Sequence, residues 1–110
     1  MSEAQQDERR VGLDLNNPEF QERLFSLEKS ERNRVIDTLA KIQKMTWSQV
    51  YRQPGLKWEE IKNPPVKLLP GEKVYSIRVS QARRAVVTRK GDLMRFLTLP
   101  LDHDSTYQGR

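Results

Sequence analysis

The residues of this 110-residue chain best suited to chemistry are two arginines on predicted strands, Arg78 and Arg84, followed by His103 and Tyr107. Such a set can cleave RNA, because this substrate carries its own nucleophile. The 2′-hydroxyl attacks the adjacent phosphate once a base, an acid and a cation are in place. Arginine suits the cationic role, since its planar guanidinium offers phosphate oxygens a fork of donors.

Residue counts exclude several other kinds of site. The chain has no cysteine, which excludes disulfides, thiolate zinc sites and cysteine nucleophiles, and its single histidine argues against a histidine-based metal site. The sequence contains no Gly-rich phosphate loop, zincin helix or serine-elbow motif. We therefore expect neither a metal nor another cofactor.

Hydropathy and charge indicate the cellular setting. No apolar run approaches the roughly 18 residues of a membrane span, and the first ten residues lack the apolar stretch of a signal peptide. We expect a soluble cytoplasmic protein without a membrane partner. Residues 1–55 hold 9 Lys/Arg and 9 Asp/Glu, and residues 56–110 hold 11 and 6, so the whole excess of +5 lies in the second half. This asymmetry indicates either an anionic partner, with nucleic acid the first candidate, or an ordinary basic surface.

Apolar periodicity predicts one domain over residues 11–110, preceded by a mobile arm over residues 1–10. A short strand over 11–15 is followed by a helical hairpin. Asn17 is the predicted N-cap of the first helix and Ser30 that of the second. The segment Thr46 to Gln49 has the spacing of a capping box. The predicted apolar helix faces comprise Phe20, Leu24, Leu27, Val35, Leu39 and Ile42, with Ile36 widening the second.

After Gly55 the period changes from 3.6 to 2 and predicts strands. They cover Leu56–Lys62, Val74–Ser80, Arg84–Arg89 and Leu93–Leu99, with a hairpin at Lys90 to Asp92 that places Gly91 at a positive φ. Helices followed by strands indicate an α+β fold, in which the helical hairpin packs on one face of a small antiparallel sheet. The other sheet face, which carries Ser76, Arg78, Ser80 and Arg84, is predicted to be a solvated surface or a site.

The stretch from Tyr75 to Val87, YSIRVSQARRAVV, resembles the strand-turn-strand core of the RelE/ParE toxin superfamily, and especially its YoeB-like branch. In that core an arginine strand enters a short turn and a second arginine opens the next strand. The Leu93–Leu99 strand, followed by His103 and Tyr107, is similar to the superfamily's C-terminal strand with its histidine and tyrosine. With the helical hairpin, the resemblance covers residues 11–107.

The resemblance implies roles for individual residues. It implies that Arg84 stabilises transition-state charge, that His103 and Tyr107 form the acid/base pair, and that Glu59 or Glu60 is the general base. In YoeB-like chains the histidine and tyrosine are adjacent, whereas three residues separate them here, which leaves open which one donates the proton. The candidates for holding RNA phosphates are Arg78, Lys57 and Arg83.

The implied function is that of a toxin-like endoribonuclease, an mRNA interferase of a type II toxin–antitoxin system. It would cleave message on the ribosome by 2′-hydroxyl attack, without a metal, and a cognate antitoxin would cover the basic face. One alternative is a ParE-like, non-catalytic inhibitor of DNA gyrase, and another is a non-toxic regulator that binds nucleic acid. An alternative role for Arg84 is purely structural, as a salt bridge at a strand edge. Trp47 and Trp58 are expected to be core anchors.

Overall fold

The computed structural model describes residues 7–64 and 67–100. The elements in these ranges are β1 (Gly12–Asp14), α1 (Pro18–Phe25), α2 (Lys29–Gln43), α3 (Trp47–Arg52), β2 (Glu59–Glu60), β3 (Tyr75–Arg78), β4 (Arg84–Lys90) and β5 (Leu93–Thr98). The strands form one five-stranded sheet in the order β1-β5-β4-β3-β2. The predicted α+β fold is confirmed. The sheet is antiparallel except at β1, which runs parallel to β5, a direction that period-2 alternation does not encode.

The helix starts follow from capping chemistry in two cases of three. Asn17 Oδ1 accepts the backbone N–H two residues on, at 2.9 Å, as predicted. Thr46 and Gln49 form both hydrogen bonds of the predicted capping box. The prediction for Ser30 is wrong, because α2 begins two residues earlier than that cap requires, at Lys29, with Glu28 at the N-cap position. The Ser30 hydroxyl donates instead to the Glu28 carboxylate.

The helices pack on one face of the sheet and form the main core there. The predicted helix-face residues are all buried, in one cluster with Ile77 and Val79 and with Tyr75 packed against it. Ile36 is 44% exposed, so it does not widen the buried face of α2. The apolar faces that were predicted from sequence therefore meet as expected.

The opposite sheet face is less open than the sequence predicts. Ile61 and Leu68, from the segment between β2 and β3, pack against Val74 and Val86 in a second, smaller cluster. Ser76 and Arg84 lie on this face, yet they are only 1% and 5% exposed. Ile61 and Leu68 thus cover part of a face that strand periodicity predicts to be open.

The turns differ in how far the sequence predicts them. Gly91 adopts φ +62° between β4 and β5, as predicted for that hairpin. The expected strand Leu56–Lys62 shrinks to Glu59–Glu60, because Lys57 has φ +49° and interrupts the extended backbone.

Within the described ranges, no helix is both long and apolar enough to cross a membrane.

The described part of the predicted N-terminal arm, residues 7–10, contacts α3. The backbone N–H groups of Trp47 and Ser48 donate to the carbonyls of Arg9 and Asp7, at 2.9 and 2.8 Å. Arg10 forms an antiparallel bridge with Thr46. These bonds use the first N–H groups of α3, which have no partner inside the helix.

Candidate active site

The sheet register brings four polar residues to the face turned away from the helices. Glu59 lies opposite Ser76 in the β2–β3 ladder, and Arg78 lies opposite Arg84 in the β3–β4 ladder. Directly opposed residues share a sheet face, and so do residues two apart on one strand. Glu59, Arg78 and Arg84, which were candidate site residues from sequence, lie on three different strands and thus share one sheet face.

Arg84 is the centre of this group. Its Nε donates to Ser76 Oγ at 3.2 Å, and its Nη2 donates to the same oxygen at 2.7 Å. Nη2 also lies 2.9 Å from the Lys57 carbonyl and 2.9 Å from Glu59 Oε1. Acceptors on two different segments therefore fix the plane of the guanidinium, which is the arrangement that presents a preorganised donor.

The Arg84–Glu59 ion pair extends from the interior to the surface. The Arg84 side chain is 6% exposed and that of Glu59 is 64% exposed. A ligand therefore reaches the Glu59 carboxylate first and the guanidinium behind it. The pair also fits the other interpretation of Arg84, a salt bridge at a strand edge without a catalytic role, since Arg84 is the first residue of β4.

The same strand register distinguishes the two candidates for the general base, Glu59 and Glu60. Glu60 lies opposite Tyr75, on the helix side of the sheet, and its Oε1 is 3.4 Å from Lys62 Nζ. Glu59 Oε1, in contrast, lies 2.9 Å from Arg84 Nη2. Of the two glutamates that the sequence left open, Glu59 is the one in the group.

The predicted phosphate-binding residues lie around Arg84 with different exposures. Lys57 contributes its carbonyl to Arg84, and its side chain is exposed. Arg78 is half-buried opposite Arg84. Arg83 is half-buried and its Nη1 lies 3.5 Å from the Leu99 carbonyl. These are positions beside the group, and phosphate binding by them stays a prediction.

His103 and Tyr107, the predicted acid/base pair, lie outside the described residues. The last described residue, Pro100, accepts a hydrogen bond from the backbone N–H of Arg84 at 3.2 Å. Pro100 therefore lies beside Arg84.

A second polar group, which the sequence analysis did not identify, surrounds Arg89 at the other end of β4. Arg89 Nε donates to the Gly91 carbonyl at 2.8 Å, Nη1 donates to Tyr51 Oη at 2.8 Å, and Nη2 donates to Asp7 Oδ2 at 2.7 Å. The guanidinium carbon lies 4.1 Å from the centre of the Trp47 ring. The alternation of β4, which places Arg89 on the core side with Ala85 and Val87, is the signal that could have identified it.

Ionisation in this second group is shifted by its contacts. Hydrogen bonds from Arg9 and Arg89 hold the pKa of Asp7 well below its usual range. Burial, assisted by the charge of Glu60, raises the pKa of Tyr75, so its phenol stays protonated. Tyr75 stacks on Trp58 with a centroid distance of 4.5 Å. Trp47 is fully buried and Trp58 packs against the main core, so both act as core anchors.

Comparison with known proteins identifies the fold. No protein-family model matches the sequence, and no curated protein matches it either. Among solved structures, the archaeal RelE–RelB complex from Pyrococcus horikoshii matches with a TM-score of 0.57 and 14% identity, over 86% of this chain and 97% of the other. The YoeB dimer from Staphylococcus aureus matches with a TM-score of 0.51 and 17% identity, over 83% and 95%. The predicted RelE/ParE-like fold is therefore confirmed.

Proposed function

We propose that this chain is a toxin-like endoribonuclease that cleaves mRNA by 2′-hydroxyl attack, with Arg84 and Glu59 at the centre of its site. The observation that carries the proposal is the 2.9 Å contact between Arg84 Nη2 and Glu59 Oε1 on the sheet face opposite the helices. It pairs a candidate base with a candidate charge stabiliser in a fold shared with the RelE–RelB and YoeB structures.

The chemistry follows from the positions of the two side chains. The Glu59 carboxylate, exposed to solvent, takes the proton of a ribose 2′-hydroxyl. The freed oxygen attacks the adjacent phosphorus, the bond to the 5′-oxygen breaks, and the leaving oxygen takes a proton from an acid. The products are a 2′,3′-cyclic phosphate and a 5′-hydroxyl. In this proposal His103 or Tyr107 supplies that proton.

Arg84 stabilises the extra charge that the phosphorane carries. The guanidinium is held in place by Ser76 and by the Lys57 carbonyl, so it needs no reorientation when charge develops. Because little of Arg84 is exposed, the phosphate reaches it beside Glu59. Base and charge stabiliser then act on the same nucleotide.

Partners follow from the same proposal. One of the matching structures is titled as a complex of RelE with RelB, which supports a cognate antitoxin protein for this chain. The net charge of +5 supports binding to message and ribosome through phosphates. Contacts from Lys57, Arg78 and Arg83, around Arg84, are part of this proposal.

Single-turnover cleavage of a message in a translation extract tests the proposal with a matched pair of variants. Glu59→Gln keeps a hydrogen bond to Arg84 but removes the base, and we expect cleavage to slow by about 10²-fold or more. Glu60→Gln makes the same charge change one residue away, on the other sheet face, and should leave the rate within about twofold. Equal rates for the two variants would remove Glu59 from the mechanism.

Two further measurements complete the test. Arg84→Lys keeps the charge without the fork and should lose part of the roughly 10²-fold contribution of a preorganised donor. Thermal unfolding of each variant separates lost chemistry from lost structure. If the unaltered chain cleaves no message but blocks supercoiling by DNA gyrase, the ParE-like alternative replaces the nuclease.

A further inference from the structure

A cavity of about 580 Å³ lies beside Arg89, at the end of the sheet next to the β4–β5 turn. Its walls come from α3, the end of β4, the β4–β5 turn and the residues that precede β3. The pair Arg84–Glu59 lies at the other end of β4. Arg84 and Arg89 are five residues apart on β4, a distance of roughly 17 Å along an extended strand. The cavity is therefore separate from the candidate active site.

The charge around this cavity favours an anion. Four cationic side chains line it, those of Arg9, Lys73, Arg89 and Lys90. Asp7 pairs with both arginines, at 2.8 and 2.7 Å, and Asp92 lies 3.3 Å from Arg9.

The two lysines that line the cavity differ from the two arginines in their ion pairing. Lys73 and Lys90 are exposed, and neither has an ion-pair partner among residues 7–64 and 67–100. The lining carboxylate, Glu72, accepts the backbone N–H of Leu69 at 3.2 Å. Two ammonium groups thus remain available to a ligand in the cavity.

Two further donors, the Arg89 guanidinium and the Tyr51 hydroxyl, stand beside the lysines. Arg89 uses three of its guanidinium N–H groups, one on each nitrogen, and guanidinium carries five. Tyr51 Oη accepts one of these hydrogen bonds, which leaves the phenolic proton of Tyr51 to donate. The cation–π contact with Trp47 and the Asp7 ion pair hold Arg89 in position. An oxyanion in the cavity would meet preoriented donors and two mobile ammonium groups.

We propose that this cavity is a second binding site for a phosphate group, held by Lys73, Lys90 and Arg89 with the Tyr51 hydroxyl. The phosphate belongs either to a free ribonucleotide or to an RNA backbone. A phosphate group carries up to two negative charges and several acceptor oxygens, which suits a guanidinium flanked by two ammonium groups. The proposal stands whether or not the Arg84–Glu59 pair cleaves RNA.

A titration of the full chain followed by amide NMR tests the site, with inorganic phosphate, a ribonucleoside 5′-monophosphate and a ribo-oligonucleotide as probes. We expect saturable shifts at Lys73 and Thr88 to Gly91. The double variant Lys73→Gln/Lys90→Gln should weaken phosphate binding tenfold or more, which corresponds to about 1.4 kcal/mol. The matched control is Lys29→Gln/Lys41→Gln, which removes the same charge from α2 and should change affinity less than twofold.

The outcomes separate the possibilities. Absence of saturable shifts, or equal weakening by the two double variants, would overturn the proposal, since either shows only the diffuse field of a basic protein. A mononucleotide that binds as tightly as the oligonucleotide indicates a free nucleotide as the ligand. An oligonucleotide that binds more tightly, with a mononucleotide no better than phosphate, indicates an RNA backbone. Arg84→Lys should leave phosphate binding here unchanged, so failure of the proposed nuclease and failure of this site are distinguishable.

Discussion

Replacing Arg89 by alanine tests whether the N-terminal residues, α3 and the β4–β5 hairpin behave as one unit. From its place near the far end of β4, Arg89 looks like a neutral position and a natural negative control for Arg84. The structure contradicts that view, because its guanidinium contacts Asp7, Tyr51, the Gly91 carbonyl and the Trp47 ring. Arg89→Ala should therefore destabilise the fold.

The expected magnitude comes from two contacts. A guanidinium over a fully buried tryptophan, as here over Trp47, contributes about 1–2 kcal/mol. A hydrogen bond from a charged donor, such as the one to Tyr51, contributes about 1.5–3 kcal/mol. Because Arg89 retains some solvent exposure, we expect a loss in the lower part of the summed range, about 3 kcal/mol of unfolding free energy. For a domain of this size that lowers Tm by about 12 °C.

Urea unfolding followed by circular dichroism measures this loss. Arg23→Ala is the matched control, since Arg23 and its partner Glu19 are both half exposed and 3.7 Å apart. Exposed pairs of that kind contribute about 0–1 kcal/mol. If Arg89→Ala lowers stability no more than Arg23→Ala does, the contacts around Arg89 do not hold these elements together.

Two further predictions concern the core and the N-terminal ion pairs. Leu39→Ala should cost about 2–5 kcal/mol in urea unfolding, because the side chain is buried between helix and sheet, whereas exposed Ile36→Ala should cost far less; equal costs would contradict the packing. Since Arg9 and Arg89 hold the pKa of Asp7 below its usual range, its ion pairs stabilise the fold fully above about pH 4, the unfolded value, and this stability is lost as the pH falls further. Asp7→Asn should therefore flatten the dependence of the urea midpoint on pH below about 4, and an unchanged slope would show that Asp7 does not supply it.

The sequence by itself determined the helices, the longer strands and the apolar faces that pack together in the main core. Helix and strand periods are local properties, and so are the Asn17 cap, the Thr46 capping box and the turn at Gly91. The order of elements, with the arginines that flank the turn between β3 and β4, was enough to predict the fold that the structural comparison confirms.

Tertiary structure alone decided which polar residues meet. Glu59 and Arg84 are 25 residues apart and Asp7 and Arg89 are 82 apart, so no local period connects them. Ile61 and Leu68, from the segment between β2 and β3, cover part of a sheet face that alternation predicts to be open. The direction of β1 was likewise open, because side-chain alternation is identical in parallel and antiparallel strands. Local interactions fix the elements, whereas the pairing of distant segments fixes the site.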